Sequence, residues 1–447
     1  MRTLKNKKIH FIGIAGSGMF PLACFLKERG NYISGSDRLF DKNQAGDTKK
    51  ELLEKGVELF PQDGSFASKK PYYDMAVYSQ AVEYSVPDFK QAKDNKIQLV
   101  HRAEMLAMLS SSIPSIAVAG TSGKSTTAGI LFHIMKKRGK DVSFISGARL
   151  SGGTQYHSGS YPLLILEADE SDGSLTNYSP ETGIILNISN DHMEMAELLQ
   201  QFESFSSNIK KDLVHSSSVN ITIEGKNLRK VIFDNPSDYK TIKKSRNGSL
   251  IEYKGIPIMI NIPGEHNILN TLAALKTAEL YGIPAEDCAD VIPSFPGIKR
   301  RLEKIGSAKN TDIYDDFAHN PDKIKHSIKS LTPYYEKLVV IFQPHGYGPT
   351  KLLFRELVSA FCSNLRKTDE LYILPIYYSG GTVSKNVSSD DLAKEISGKG
   401  VKCAAATRKN IFSKIKTSGK PTAIVIMGAR DSSLTEIADA MAEFIGK

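Results

Sequence analysis

No stretch of this chain restricts its fold more than Ala119-Gly120-Thr121-Ser122-Gly123-Lys124-Ser125-Thr126. The apolar segment Ser115–Ala119 enters it, and Thr126–Lys137, with apolar residues at helical spacing, leaves it. A strand that passes through a glycine turn into a helix gathers backbone N–H groups and the positive helix end around one point, a cradle for a phosphate chain. Lys124 is then placed to reach β- and γ-phosphates, and the Ser125 hydroxyl to ligate Mg²⁺. The usual spacing asks for a further glycine where Val118 stands. A glycine turn before an exposed lysine is the plainer alternative, and the strand-to-helix context favours the nucleotide. Such a unit belongs in an α/β domain with a largely parallel sheet.

A phosphate cradle needs an acid at a neighbouring strand end to hold the metal. The apolar run Leu163–Leu166 ends in Glu167-Ala-Asp-Glu-Ser-Asp172. Glu167 is the leading ligand, with Asp169, Glu170 and Asp172 as alternates. His192 follows the next apolar strand, Thr182–Asn187, and is a candidate for a second ion; a lone His there is as readily structural.

The N-terminus repeats the theme. Lys8–Ile14 reads as a strand, Gly13-Ile-Ala-Gly16-Ser-Gly18 as a turn, Met19–Arg29 as a helix, and Tyr32–Gly35 as a strand ending near Asp37. The turn departs from G-x-G-x-x-G at Ala15, and its geometry suits any pyrophosphate, with Asp37 toward a ribose hydroxyl. A tight turn beside a solvated aspartate is the alternative. Three α/β domains are expected: 1–108, Rossmann-like; 109–297, a P-loop domain with a mainly parallel sheet; and 298–447, Rossmann-like, where strands and helices alternate again.

Charge and composition narrow the function. The 447 residues carry 58 Lys and Arg against 49 Asp and Glu, a formal charge of +9, in scattered pairs rather than basic runs. With no Trp and no aromatics along a basic stripe, nucleic-acid binding is not expected, whereas an anionic small substrate fits. Cys24, Cys288, Cys362 and Cys403 form no C-x-x-C pair, so neither zinc nor a disulfide framework is indicated. Glycines and Pro21 interrupt the apolar N-terminal run, and no window is apolar enough to span a membrane. A cytoplasmic protein is expected; monomer and dimer stay open.

Three polar clusters remain. Gly264-Glu-His-Asn267-Ile-Leu-Asn270 opens a helix with more polar groups than a cap uses. Arg300-Arg301 stands at a domain junction, where an arginine stabilises charge in phosphoryl transfer or merely faces water. Tyr314-Asp315-Asp316-Phe317-Ala318-His319-Asn320 closes one strand and opens a helix.

Taken in order, these pieces, with Arg102-Ala-Glu-Met-Leu106 and the stretch Asn187 to His192, resemble the Mur ligase family of peptidoglycan synthesis along essentially the whole chain. The nearest likeness is to its alanine-adding branch and the related tripeptide ligases. The resemblance implies an ATP-dependent ligase that activates the carboxylate of a UDP-N-acetylmuramate-type nucleotide sugar as an acyl phosphate and joins it to an amino acid or short peptide. It implies Gly16, Ser17, Gly18 and Met19 on the diphosphate, Asp37 on the ribose, and Gly120, Thr121, Ser122, Gly123, Lys124, Ser125 and Thr126 on ATP. It makes Ser125, Glu167 and His192 the Mg²⁺ ligands, Asn267 the adenine partner, and Arg301 and Asp316 further ATP contacts. It implies domain closure in the cycle. His319, His345 and Arg430 are the acceptor candidates.

The acceptor end departs from the pattern. Where alanine-adding relatives carry arginines, this chain has Gly346 and Pro349, and Asn320 replaces a second histidine. Losing a bidentate guanidinium is a large change, and Arg430, where a glycine is usual, is a candidate replacement. Two other readings exist. An oxidoreductase built on residues 1–108 leaves Lys124 and Glu167 without a role. A P-loop regulatory module binds nucleotide without ligating.

Overall fold

The computed structural model describes residues 4–69, 72–170, 173–189, 194–222, 228–378, 386–415, 419–429, 431 and 433–446. The chain forms two compact units. One comprises Met1–Lys240, Ile251–Ile258 and Ile268–Pro296; the other comprises Thr241–Leu250, Met259–Asn267 and Gly297–Lys447.

The first unit holds two sheets. Strands β1 (Lys8–Ile12), β2 (Tyr32–Ser36), β3 (Glu58–Phe60), β4 (Met75–Tyr78) and β5 (Gln98–His101) are all parallel, in the order β3-β2-β1-β4-β5. The order reverses beside β1, so the glycine loop at its carboxyl end lies at the switch point where α/β sheets bind ligands. The helix Met19–Glu28 buries Met19 through Leu26.

The second sheet runs through β6 (Ser115–Ala119), β7 (Val142–Ile145), β8 (Tyr156–His157), β9 (Tyr161–Glu167), β10 (Thr182–Ile185), β11 (Asp212–His215) and β12 (Arg229–Ile232). Its order is β12-β11-β10-β6-β9-β7-β8, parallel except for β7 with β8. The phosphate-cradle strand β6 is central, between β9 and β10. One apolar cluster joins the two sheets, running from Ile9, Phe25 and Leu106 to Ala117, Leu166 and Phe202. A small sheet follows, β13 (Tyr239–Ser245), β14 (Gly248–Tyr253) and β15 (Ile256–Ile260).

The remaining sheet, in the second unit, contains β16 (Glu303–Ala308), β17 (Thr311–Asp316), β18 (Lys337–Gln343), β19 (Glu370–Ile373), β20 (Lys402–Ala405) and β21 (Thr422–Gly428), in the order β16-β17-β21-β18-β19-β20. Only β16 is antiparallel. Both faces are covered, and the two-residue period of a strand sorts them. Leu338, Val340 and Phe342 pack with Ile324, Ile328, Phe361 and Ile396 on one side. Val339 and Ile341 pack with Leu434, Ile437 and Met441 on the other. Among the described residues, no helix is long and apolar enough to cross a membrane.

Candidate active site

The cradle forms as its sequence demands. Gly123 caps the helix Lys124–Lys137 with φ +88°, a left-handed conformation costly for any residue with a Cβ. A Cβ there would also stand 2.3 Å from Asn270 Oδ1. The loop is tied to the chain that leaves β10: Ser122 N–H donates to Asn187 Oδ1 at 3.0 Å, Asn187 Nδ2 donates to Ser122 O at 3.0 Å, and Ser189 N–H donates to Thr121 Oγ1 at 2.9 Å. Val118 is interior to β6 and fully buried. The strand therefore runs on to Ala119, and the turn begins one glycine later than in the usual spacing.

Lys124 folds back over this loop. Its Nζ donates to Gly120 O at 2.8 Å and to Glu170 Oε2 at 2.7 Å, with Asp169 Oδ1 at 3.4 Å. Burial lowers the ammonium's pKa, but Asp169, Glu170 and Glu167 outweigh it, so the net shift is upward and Lys124 stays charged. Burial pushes the Glu170 carboxyl up, against the pull of Lys124.

Register pairs Val118 with Glu167, so Glu167 ends β9 beside the cradle. Ser125 Oγ donates to Glu167 Oε2 at 2.8 Å, while Gly147 N–H (2.9 Å) and Ser146 Oγ donate to Oε1. Hydroxyl and carboxylate oxygens are the hard donors Mg²⁺ takes. Among the described residues, no three His, Cys, Asp or Glu side chains converge as a metal site. The ion would rest on these oxygens together with phosphate oxygens and water, its usual arrangement with nucleotides. His192 and Asp172 lie outside the described residues.

At the glycine loop of the first sheet, Gly13 has φ +79° and Ser17 is exposed. Ala15 N–H donates to Asp37 Oδ2 at 2.9 Å, and Leu39 N–H to Oδ1 at 2.9 Å. Asp37 thus braces the loop and caps a short helix, and burial pushes its carboxyl up. Met19 differs from its neighbours in the motif. Its side chain is in the core, and its N–H donates to Gly16 O at 2.9 Å, so the loop's accessible part ends at Gly18.

In the second unit both paired arginines lie over the Phe317 ring, but they differ in burial: Arg300 is held inside, donating to Asp315 at 3.2 Å and to Gly428 O at 2.7 Å, whereas Arg301 is exposed. Asp316 is buried and receives Ser327 Oγ; burial pushes its carboxyl up. His319 Nδ1 lies 2.8 Å from Phe317 O, and burial, then Lys323, pulls its pKa down to about 3, so the ring is neutral. Its ring is 5.4 Å from that of His345. Gly346, at φ +72° with its N–H on Tyr377 O, begins the helix Tyr347–Leu352, and Tyr347 packs on Tyr378. Arg430 lies outside the described residues. Asn267 is buried, its Nδ2 donating to Pro263 O at 2.6 Å.

Ser146, Gly147 and Gln155 carry no motif and escaped the sequence reading. Glu170 ranked there as an alternate metal ligand, yet it is the main partner of Lys124. Asn270 and Arg102 were legible as parts of motifs but without roles. Arg102 Nη1 lies 3.1 Å from where a Cβ on Gly18 would sit, which puts a cation beside the glycine loop.

Three family descriptions match the chain in order: "Mur ligase family, catalytic domain" over residues 8–113, "Mur ligase middle domain" over 118–278, and "Mur ligase, glutamate ligase domain" over 300–430. The UDP-N-acetylmuramate–L-alanine ligase of Aquifex aeolicus is 32% identical over 434 residues, 92% of each chain. The crystal structure of the UDP-N-acetylmuramate–alanine ligase of Thermotoga maritima superposes with a TM-score of 0.77 at 23% identity, over 98% of both chains. That of the murein peptide ligase of Psychrobacter arcticus gives 0.66 at 21%, over 99% of both.

Proposed function

The chain belongs to the Mur ligase family of ATP-dependent amide ligases, and on that premise we propose that it joins the carboxylate of UDP-N-acetylmuramate to the amine of an amino acid, L-alanine first among candidates, in peptidoglycan synthesis. One observation carries the reading: Ser125, beside Lys124 at the start of one helix, meets Glu167 at the end of the adjacent strand β9, and Lys124 meets Glu170 just beyond that strand. A helix-start hydroxyl beside a strand-end acid is the pair that holds a triphosphate's cation, with the neighbouring lysine left for its phosphates.

In this reading residues 1–108 hold the nucleotide sugar, with Gly16, Ser17 and Gly18 on its diphosphate and Asp37 toward the ribose. Residues 109–297 hold ATP, and 298–447 hold the acceptor. A carboxylate oxygen of the sugar's lactyl group attacks the γ-phosphorus, and the bond to ADP breaks. The acceptor amine then attacks the acyl carbon, the phosphate leaves, and the ammonium proton is lost to solvent. Lys124 neutralises charge building on the γ-phosphate, and the loop N–H groups fix the chain of phosphates. Mg²⁺, held by Ser125 and Glu167 with His192 as the third candidate, would supply further neutralisation. Asn267, Arg301 and Asp316 are assigned to ATP, and His319, His345 and Arg430 to the acceptor. A neutral His319 suits an amine, which must itself be unprotonated to attack. No step needs a protein nucleophile. A cytoplasmic site of action is part of the proposal.

A peptide acceptor is the second reading, favoured by Gly346 and Pro349, which leave the loop without the arginines that would hold a small amino acid's carboxylate. Phosphate release from ATP and Mg²⁺, measured with UDP-N-acetylmuramate and a panel of amino acids and tripeptides, separates the two. Release dependent on both sugar and acceptor is expected, and the panel names the acceptor. Release without an acceptor would instead favour a regulatory ATPase. Lys124→Ala should lower kcat by at least a hundredfold, about 3 kcal/mol; near-normal turnover would remove Lys124 from the site.

A further inference from the structure

Gln155 lies between the two cradles of the first unit, touching the glycine loop directly and the acid beside the ATP cradle through Gly147. It is 8% exposed. Its Nε2 donates to Ser17 O in the glycine loop at 2.9 Å and to Gly147 O at 3.3 Å. Both partners are carbonyl oxygens, so it is the amide nitrogen that faces them. Gly147 accepts from Gln155 on one side, and on the other its N–H holds Glu167 Oε1 at 2.9 Å. Ser146, which also donates to that oxygen, is tied to the same residue through its N–H on Gln155 O at 3.0 Å.

The surrounding contacts give this loop a firm footing on the first sheet's helices. Arg149 pairs with Glu51 at 2.9 Å and lies over Phe20, and Tyr156 meets Phe20 edge to face. The loop from Ser146 to Tyr156 therefore spans from the nucleotide-sugar loop to the carboxylate beside the ATP cradle. Gln155 is the side chain through which a hydrogen-bonded path runs from one to the other.

We propose that Gln155 is a positioning residue that couples the two sites: a diphosphate on the glycine loop steadies Ser17, and through Gln155 and Gly147 it steadies Glu167 in the orientation that binds the metal–nucleotide. Nucleotide sugar then tightens Mg²⁺–nucleotide binding, and the converse holds by the same factor. The inference rests on the site assignments above. Without Gln155, each site keeps its own groups and loses the link.

Titration calorimetry on the full-length protein tests this, with UDP-N-acetylmuramate and a non-hydrolysable ATP analogue plus Mg²⁺, each titrated alone and in the presence of the other. In the parent protein each is expected to tighten the other about fivefold, the low end of typical couplings. Gln155→Met keeps the volume but removes the donor; in it both ligands should still bind and the factor should fall to about one, with the thermal midpoint little changed. If that variant does not fold, Gln155→Glu, isosteric but with no N–H to offer two carbonyls, provides the measurement. Failure of the parent to bind either ligand would overturn the site assignment. Binding without coupling in the parent, or coupling intact in both variants, would overturn the role of Gln155 alone.

Discussion

Individual residues at the ATP cradle hold their places by exclusion as much as by attraction. Gly123 must be glycine on two counts, its left-handed backbone and the 2.3 Å approach of Asn270 Oδ1 to the place of a Cβ. Gly123→Ala should destabilise the fold by about 1–3 kcal/mol and disturb the start of the helix that carries Lys124 and Ser125. Adding Asn270→Ala relieves the contact but not the backbone strain, so urea denaturation should show only partial recovery. Full recovery would mean that backbone conformation contributes nothing there. The half-buried His319 makes a second prediction. Its folded pKa, about 3, lies below the ordinary value of about 6.5. Below pH 6.5 the unfolded chain therefore binds a proton that the folded chain refuses, and stability falls as pH drops from about 6.5 toward 3. The ring is partly accessible, so the slope should be less than the full 1.4 kcal/mol or so per pH unit of one proton. Urea midpoints at pH 7 and 5 should differ more in the parent than in His319→Gln; equal differences would show that this imidazole is not linked to folding.

At the scale of elements, strong local signals were legible and weak ones were not. Strands buried on both faces, such as Ser115–Ala119 and Thr422–Gly428, announce themselves by unbroken apolar runs. The helix Pro321–Leu331 shows its Pro start and its period. The small sheet at residues 239–260 does not, because Tyr239–Ser245 is mostly solvent-exposed and its lysines show no alternation. The chain from Tyr347 to Asn364 forms two helices, Tyr347–Leu352 and Phe354–Asn364, where apolar spacing alone would read as one. The first begins at the Gly346 turn and takes Pro349 in its first turn, where a missing N–H costs little. Of the site, the residues within glycine loops were readable. Gln155 and Ser146 were not, because a relay that runs partly through backbone groups leaves no spacing to find. Two adjacent serines stand at the start of the helix Ser389–Gly398: Ser388 caps it, in a reciprocal box with Asp391, while Ser389 instead donates to Leu374 O at 2.7 Å. Ser388→Ala should cost about 1 kcal/mol in urea denaturation and leave ligand affinities alone. A shift in ligand affinity would mean that this helix does more than support its sheet.

For the molecule as a whole, the surplus of nine positive charges is the property no single motif explains. Both proposed nucleotide substrates are polyanions, and Arg102 stands beside the glycine loop. A cationic protein raises the local concentration of such ligands over distances comparable to the Debye length, about 8 Å at physiological ionic strength. Salt should therefore weaken capture more than chemistry. Between about 50 and 300 mM KCl, kcat/KM for the nucleotide sugar is expected to fall roughly threefold with little change in kcat. The amino-acid acceptor, a zwitterion of no net charge, supplies the internal control, and its KM should hardly move. A salt response of equal size for both substrates would mean that ions act on the fold or on turnover rather than on approach. The surplus charge would then need an explanation other than its substrates.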